Sequence, residues 1–228
     1  MIQTLYVDFD GHRLACRVSG DGPALVVLNL YRRRPDMIQA RMLSDRWRVV
    51  QISPLGYGYS DRVPGYAGEA LADQILCVLD RHGVDRFVIW GYSAAAAMAA
   101  CVARAAPRVA GLVCGGFSPD FLLAGRVREL DRRLHPDHPS RSLWWWFKEF
   151  DWTVEVRAMS CARLFYWGSE DRQMAKRLRR LSEHLMLGDV DFLEFPGFDH
   201  AACNTPEALQ SPVVPAIAEW VSQRLGPA

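Results

Sequence analysis

The sequence predicts an α/β fold in which a mostly parallel central sheet is flanked by helices on both faces. Several short segments are apolar along their whole length, which is typical of strands buried on both faces of a sheet. Between them lie longer segments whose apolar residues recur at helical spacing, and Gly83 and Pro107 stand where two of these would end. Strands that alternate with helices in this order form a parallel sheet.

The first two strands are expected at residues 2–7 and 13–18, because apolar and polar residues alternate there around the turn residues Asp10 and Gly11. This pattern predicts a hairpin at the edge of the sheet. The remaining strands are expected at residues 24–28, 48–52, 86–90, 109–114, 162–167 and 191–195.

The helices are expected at residues 68–82, 94–106, 173–187 and 215–225. Residues 118–157 interrupt this rhythm, since they contain arginine-rich helical pieces and the run Trp144-Trp145-Trp146-Phe147 but no strand pattern. We interpret 118–157 as a small helical cap inserted into a core of residues 1–117 and 158–228. Some of its aromatic side chains are expected to pack on the core, and others to line a pocket between cap and sheet.

Composition limits the classes of partner. The chain has 228 residues, 50% of them apolar, which suffices for one domain with a sizeable core. A net charge of +1 produces no long-range field that would attract nucleic acid or an anionic membrane, so a small-molecule substrate is expected. The longest apolar stretch follows Ser93 but is interrupted at Arg104, and the first residues lack a signal pattern. A cytoplasmic location is therefore expected, and a homodimer stays open.

No cofactor or metal is expected. The six cysteines lack the short paired spacings of zinc sites, so reduced thiols in the core are the simpler interpretation. The sequence also contains no phosphate-binding loop of the G-x-x-x-x-G-K type.

The strongest local signal is Gly91-Tyr92-Ser93-Ala94-Ala95, which follows a buried strand and precedes an alanine-rich helix. A serine on such a tight turn is lifted out of the sheet, and small neighbours permit the close backbone approach that the turn requires. The start of the helix supplies N–H groups, so the backbone N–H of Ala94 could stabilise an oxyanion. The alternative is that Ser93 only caps the helix.

This turn and the glycine-rich loop Gly56-Tyr57-Gly58-Tyr59-Ser60 resemble the α/β-hydrolase fold family, and the resemblance covers nearly the whole chain. Ala95 departs from the family's commonest pattern, which has a second glycine there. The resemblance implies a serine hydrolase whose nucleophile, acid and histidine follow one another in the order Ser, Asp, His.

On this resemblance the histidine of the triad is His200, which lies in a loop after the last predicted strand. Its acid would be Asp171, which follows the strand at 162–167 and would hold the imidazole in one tautomer. Two other carboxylates remain open, the adjacent Glu170 and Asp120 after the preceding strand. Asp171 could instead only cap the helix that follows it.

A second oxyanion donor is expected after the strand at 24–28, where the sequence reads Asn29-Leu30-Tyr31. The resemblance assigns this role to the backbone N–H of Tyr31, although Leu30 replaces a glycine that relatives carry. Arg32, Arg33 and Arg34 follow and could bind an anionic group or face solvent. Substrate contacts are expected at Asn29, Leu30, Tyr92, Trp145 and Trp146.

The sequence thus predicts an esterase, thioesterase or lactonase acting on an apolar small molecule through an acyl intermediate on Ser93. Two alternatives stay open. One is a cofactor-free lyase, cyclase or transferase that uses the triad as acid and base. The other is a relative that binds a ligand without catalysis.

Overall fold

A computed structural model describes residues 3–30, 38–63, 68–122, 144, 147–184 and 189–225 of the chain. These residues contain eight strands in one sheet. The strands are β1 (Leu5–Phe9), β2 (His12–Ser19), β3 (Ala24–Leu28), β4 (Arg48–Ser53), β5 (Phe87–Tyr92), β6 (Val109–Gly115), β7 (Ala162–Gly168) and β8 (Val190–Phe195).

The strands lie in the order β1-β2-β4-β3-β5-β6-β7-β8. Strand β2 is antiparallel to both of its neighbours, β1 and β4. Every other neighbouring pair is parallel. The predicted fold class, a mostly parallel sheet within an α/β fold, is therefore confirmed.

Six helices accompany the described strands, together with a single turn of 3₁₀ helix at Pro119–Leu122 and short helical turns within residues 202–213. The helices are α1 (Ile38–Leu43), α2 (Gly68–Arg81), α3 (Ala94–Ala105), α4 (Trp152–Ala158), α5 (Arg172–His184) and α6 (Val214–Leu225).

The core consists of two apolar layers, one on each face of the sheet. Helices α2 to α5 cover one face, where Leu71 and Leu178 are fully buried. Helices α1 and α6 cover the other, where Ile217 is fully buried. Successive residues of a strand point to opposite faces, so Val26 belongs to the first layer and Val27 to the second. This is why the central strands are apolar throughout.

The edge hairpin forms as predicted, with Phe9 opposite His12 and a two-residue turn between them. Asp10 and Gly11 both have positive φ, 51° and 78°, the conformation of the turn that suits the twist of a hairpin. Strand β1 begins at Leu5 and ends at Phe9, later than the predicted 2–7 at both ends.

Most other described boundaries lie within one residue of the predicted ones, and two differences are larger. Strand β5 ends at Tyr92 and not at residue 90, because Gly91 and Tyr92 pair with β6. Helix α1 was not predicted, since its six residues span less than two turns and show too few repeats of the helical pattern.

The glycine-rich loop follows β4 in the chain and is hydrogen-bonded to both β4 and β2. The hydroxyl of Ser60 donates to the carbonyl of Ser53 at 2.5 Å and accepts from the backbone N–H of Ala15 at 2.7 Å. Asp61 accepts from the backbone N–H of Arg13 at 2.9 Å and pairs with its guanidinium. The loop therefore extends the sheet interactions beyond the end of β4.

Much of the predicted cap, residues 118–157, lies outside the described residues, so its boundaries stay a prediction. Within the part that is described, Phe147 is fully buried and stacks on Trp152 at a centroid distance of 3.8 Å. These two aromatic side chains belong to the core layer under α3 and α4. Among the described residues, no helix is long and apolar enough to cross a membrane.

Candidate active site

The turn between β5 and α3 holds Ser93 in a strained conformation. Its φ and ψ are 56° and −119°, a region that residues other than glycine seldom adopt. Gly91 permits the turn, because a Cβ at that position would overlap the carbonyl of Ala95. The backbone N–H of Ser93 donates to the carbonyl of Gly115 at 2.8 Å, which ties the turn to β6.

The side chain of Ser93 does not cap α3. No N–H of the helix donates to its oxygen, and Oγ lies instead 3.1 Å from Nε2 of His200. The simpler interpretation of this serine as a helix cap therefore does not describe its contacts. Its strained backbone aims the hydroxyl at the imidazole.

His200 lies in the loop that follows β8. Nδ1 of its ring is 2.6 Å from Oδ2 of Asp171. The side chain of Asp171 is 10% exposed and that of His200 46%, so the carboxylate is shielded while the imidazole faces the open side of the turn. The structure thus brings Ser93, His200 and Asp171 together in one line of contacts.

The loops that carry Asp171 and His200 are bound to each other. The backbone N–H of Glu170 donates to the carbonyl of Phe198 at 2.9 Å, and that of Gly197 donates to Oγ of Ser169 at 2.9 Å. Gly168 permits this contact, because a Cβ there would overlap the carbonyl of Phe198. The close packing and hydrogen bonds of these two loops therefore set the distance between Asp171 and the imidazole of His200.

Asp171 also accepts from the N–H of Met174 at 3.3 Å through Oδ1. Its two oxygens therefore contact both partners considered from the sequence: Oδ1 accepts from the first turn of α5, and Oδ2 faces the imidazole. Asp120 is engaged elsewhere, since it accepts from the hydroxyl of Ser118 at 2.5 Å and pairs with Arg177 at 3.2 Å.

An open cavity of about 790 Å³ extends from Ser93. Its described lining combines the hydroxyl of Ser93, the imidazole of His200 and the carboxylate of Asp171 with apolar and polar side chains. The lining residues are Ser93, Ala94, Gly116, Phe117, Trp144, Glu170, Asp171, Arg172, Gln173, Met174, Asp199, His200 and Ala201. Because Ala94 is the first residue of α3, the N-terminus of that helix meets the cavity beside Ser93.

Three residues expected to contact substrate lie elsewhere. Asn29 is buried and lines a small separate pocket with Gln51. Leu30 packs against the core layer that α2 and α3 cover. Tyr92 is absent from the described lining of the cavity, and its hydroxyl donates to the carbonyl of His200 at 2.6 Å. Tyr31, Trp145 and Trp146 lie outside the described residues, as do Arg32, Arg33 and Arg34.

Several residues of this site were not among those expected from the sequence. Gly116 has a φ of 57°, and a Cβ there would lie 2.7 Å from Cζ of Tyr92 and 3.0 Å from Cε1 of His200. The pair Gly115-Gly116 at the end of a predicted strand is the sequence feature that could have indicated this position. No sequence pattern indicates Phe117 or Met174 as site residues, since only the folded chain brings them to the cavity.

Comparisons with known proteins agree with this architecture. A family model described as alpha/beta hydrolase fold matches residues 27–138. The chain therefore has the α/β-hydrolase fold. A comparison with curated proteins gives no match.

Solved structures of this hydrolase fold superpose along nearly the whole chain. A thermophilic esterase from Thermogutta terrifontis has a TM-score of 0.74 at 21% identity, covering 98% of this chain and 99% of that one. E-2-(acetamidomethylene)succinate hydrolase has a TM-score of 0.75 at 18% identity, covering 97% and 100%. An epoxide hydrolase mutant from Vigna radiata has a TM-score of 0.68 at 14% identity, covering 97% and 99%. At these identities the similarity shows the fold alone. It does not identify the bond that the protein cleaves.

Proposed function

We propose that the chain is a serine hydrolase that cleaves a carboxylic ester, thioester or lactone of an apolar small molecule. The observation that carries the proposal is the line of contacts from Ser93 Oγ to His200 Nε2, 3.1 Å, and from His200 Nδ1 to Asp171 Oδ2, 2.6 Å. A hydroxyl, an imidazole and a carboxylate in this order form the arrangement that activates a serine for attack on a carbonyl carbon.

In the first half of the reaction, Ser93 Oγ attacks the carbonyl carbon of the substrate while its proton passes to Nε2 of His200. Asp171 holds the Nδ1–H and stabilises the imidazolium. The carbonyl oxygen becomes an oxyanion beside the N-terminus of α3, where the N–H of Ala94 is one donor and that of Tyr31 the expected second. The tetrahedral intermediate then collapses, and the alcohol or thiol leaves with the proton from His200.

In the second half, His200 takes a proton from water, and the resulting hydroxide attacks the acyl carbon on Ser93. The Ser93 oxygen leaves and recovers its proton from His200, and the carboxylic acid is released. Each proton that His200 accepts is donated to the leaving group of the same half-reaction. The proton transfers therefore balance without a cofactor.

The cavity favours a substrate with one apolar part. Phe117, Trp144 and Met174 contribute apolar walls, while Glu170 and Arg172 are exposed at its polar side. A volume of about 790 Å³ suits a small organic ligand rather than a polymer. The apolar acyl or ring part is therefore proposed to contact the aromatic walls.

A fluorophosphonate tests the nucleophile, with intact-protein mass spectrometry as the measurement. Wild type is expected to gain one adduct, mapped to Ser93, while Ser93→Ala gains none. His200→Ala is expected to react about 10²–10⁴-fold more slowly, since it lacks the base. Absence of an adduct on folded wild type would contradict the proposal.

Panels of esters, thioesters and lactones then test the reaction. Steady multiple turnover with an acyl group trapped on Ser93 is expected. A lyase, cyclase or transferase would form product without that acyl intermediate or without release of the free acid. A binding protein would show ligand affinity in wild type and Ser93→Ala alike, with no product.

A further inference from the structure

The loop that carries His200 has little burial to hold it in place. Within residues 196–201 only Phe198 is half-buried and packs on the core, while Pro196, Gly197, Asp199, His200 and Ala201 are exposed. Loops with so few apolar contacts move unless hydrogen bonds restrain them. The position of the imidazole relative to Ser93 therefore depends on specific bonds to the backbone of this loop.

One such bond comes from the residue next to the nucleophile. The hydroxyl of Tyr92 donates to the carbonyl of His200 at 2.6 Å. Since Tyr92 is covalently joined to Ser93, and His200 Nε2 lies 3.1 Å from Ser93 Oγ, these contacts close a ring through both reacting residues. Within that ring, the end of β5 fixes the histidine from its backbone side.

The surroundings hold Tyr92 in this orientation. Its ring lies 5.4 Å from the imidazole of His200 and 5.8 Å from the ring of Tyr166, measured between centroids. Gly116 leaves the space in which the phenol and the imidazole meet, because a Cβ there would lie 2.7 Å from Tyr92 Cζ. Burial raises the pKa of the Tyr92 phenol far above its ordinary value, so the hydroxyl keeps its proton and remains a donor.

We propose that Tyr92 is a positioning residue that holds the backbone of His200 so that Nε2 faces Ser93 Oγ. This role rests on the proposed function and replaces the substrate contact expected from the sequence. Tyr92 acts through His200, because its hydroxyl contacts the histidine carbonyl and its side chain is absent from the described lining of the cavity.

Tyr92→Phe removes the hydroxyl and keeps the ring. Its kcat on an activated ester is expected to fall about tenfold, the effect of losing one hydrogen bond that orients the base. KM and the midpoint of the pH–kcat profile are expected to stay unchanged, since the lost bond contacts neither the substrate nor a ring nitrogen. The rate of fluorophosphonate labelling should fall in parallel with kcat.

Tyr166→Phe is the matched control. It removes a hydroxyl from the neighbouring buried phenol, which accepts from Nε1 of Trp90 at 3.1 Å and lies outside the catalytic contacts. Its melting temperature is expected to fall while kcat is kept. Equal loss of kcat in both variants would show that Tyr92 acts through general packing, and would overturn the proposal.

Two further outcomes would overturn it. A raised KM with kcat unchanged would return Tyr92 to a substrate contact, and unchanged kinetics in Tyr92→Phe would leave it no role in positioning. Crystal structures of wild type and both variants give a readout independent of turnover. The Ser93 Oγ to His200 Nε2 distance is expected to lengthen in Tyr92→Phe alone. This readout tests the positioning role separately from the proposed function, because it requires no acylation of Ser93.

Discussion

At the scale of single residues, the site depends on backbone conformations that side-chain patterns do not display. Ser93 has a φ of 56°, and no helix N–H donates to its side chain. Holding a residue other than glycine in such a region costs of the order of 1–3 kcal/mol, which the surrounding packing must offset. The strained turn directs Oγ towards Nε2 of His200, 3.1 Å away.

Replacing the acid tests the residue-scale assignment directly. Asp171→Asn leaves an amide where a carboxylate now meets Nδ1 of His200, which favours the wrong imidazole tautomer. The value of kcat is expected to fall by as much as about 10⁴-fold. Steady-state kinetics on an activated ester is the measurement.

Asp120→Asn provides the control, because Asp120 contacts Ser118 and Arg177 and not His200. This variant should keep nearly all of the wild-type kcat. The assignment of the acid would be wrong if Asp120→Asn abolished turnover while Asp171→Asn retained it.

At the scale of elements, polar contacts fix how helices and loops join the sheet. Arg163 of β7 is 4% exposed, and its guanidinium donates to the carbonyls of Val156 and Met159 at 2.8 and 2.7 Å. These carbonyls lie at the end of α4, where a helix leaves acceptors without partners of its own. The buried cation therefore joins α4 to the sheet.

Arg163→Met keeps the volume of the side chain but leaves those carbonyls without their donor. The free energy of unfolding is expected to fall by about 3 kcal/mol, in the range for unsatisfied buried polar groups. Urea denaturation measures the change. Arg180→Met, at an exposed position of α5, is the comparison and should leave stability nearly unchanged; equal losses would contradict this account of Arg163.

The loop after β4 predicts a dependence of stability on pH. Hydrogen bonds from the side chain and backbone of Arg13 lower the pKa of Asp61 below its ordinary value of 3.8. Because the folded pKa is the lower one, the stabilisation is complete above pH 3.8 and is lost as the pH falls through the folded value. Acid should therefore weaken the loop.

Asp61→Asn removes this titrating group, so its melting temperature should fall less steeply than that of wild type below pH 3.8. Thermal melts at several pH values compare the two slopes. Asp73→Asn removes an exposed carboxyl of α2 and serves as the control. If both variants change the slope equally, the pair of Asp61 with Arg13 is not the cause.

At the scale of the whole molecule, the cavity lies between the sheet ends and part of the segment predicted to be a cap. Trp144 lines this cavity and lies 6.3 Å from Phe147, measured between ring centroids. Phe147 in turn is fully buried in the core. This aromatic contact joins the cavity wall to the packed interior.

Trp144→Ala should therefore raise KM for esters with long apolar acyl chains more than for acetate esters, because it removes apolar surface from the cavity wall. Steady-state kinetics across a series of acyl lengths measures the effect. Phe150→Ala is the control within the same segment, since Phe150 packs on Arg104 and is absent from the described lining. The same dependence on chain length in both variants would contradict a role for Trp144 in the wall.

The sequence by itself determined the α/β class, since strands apolar on both faces require cover on both sides, as Val26 and Val27 show. The local pattern around Ser93 also pointed to this serine, and the resemblance to the α/β-hydrolase family implied His200 and Asp171 as its partners, with Glu170 and Asp120 still open as the acid. Only the tertiary structure decided that Asp120 pairs with Arg177, that Tyr92 binds the backbone of His200, and that Phe117 lines the cavity. These contacts join residues distant in the chain, and their geometry follows from the order and twist of the strands, which no local pattern encodes.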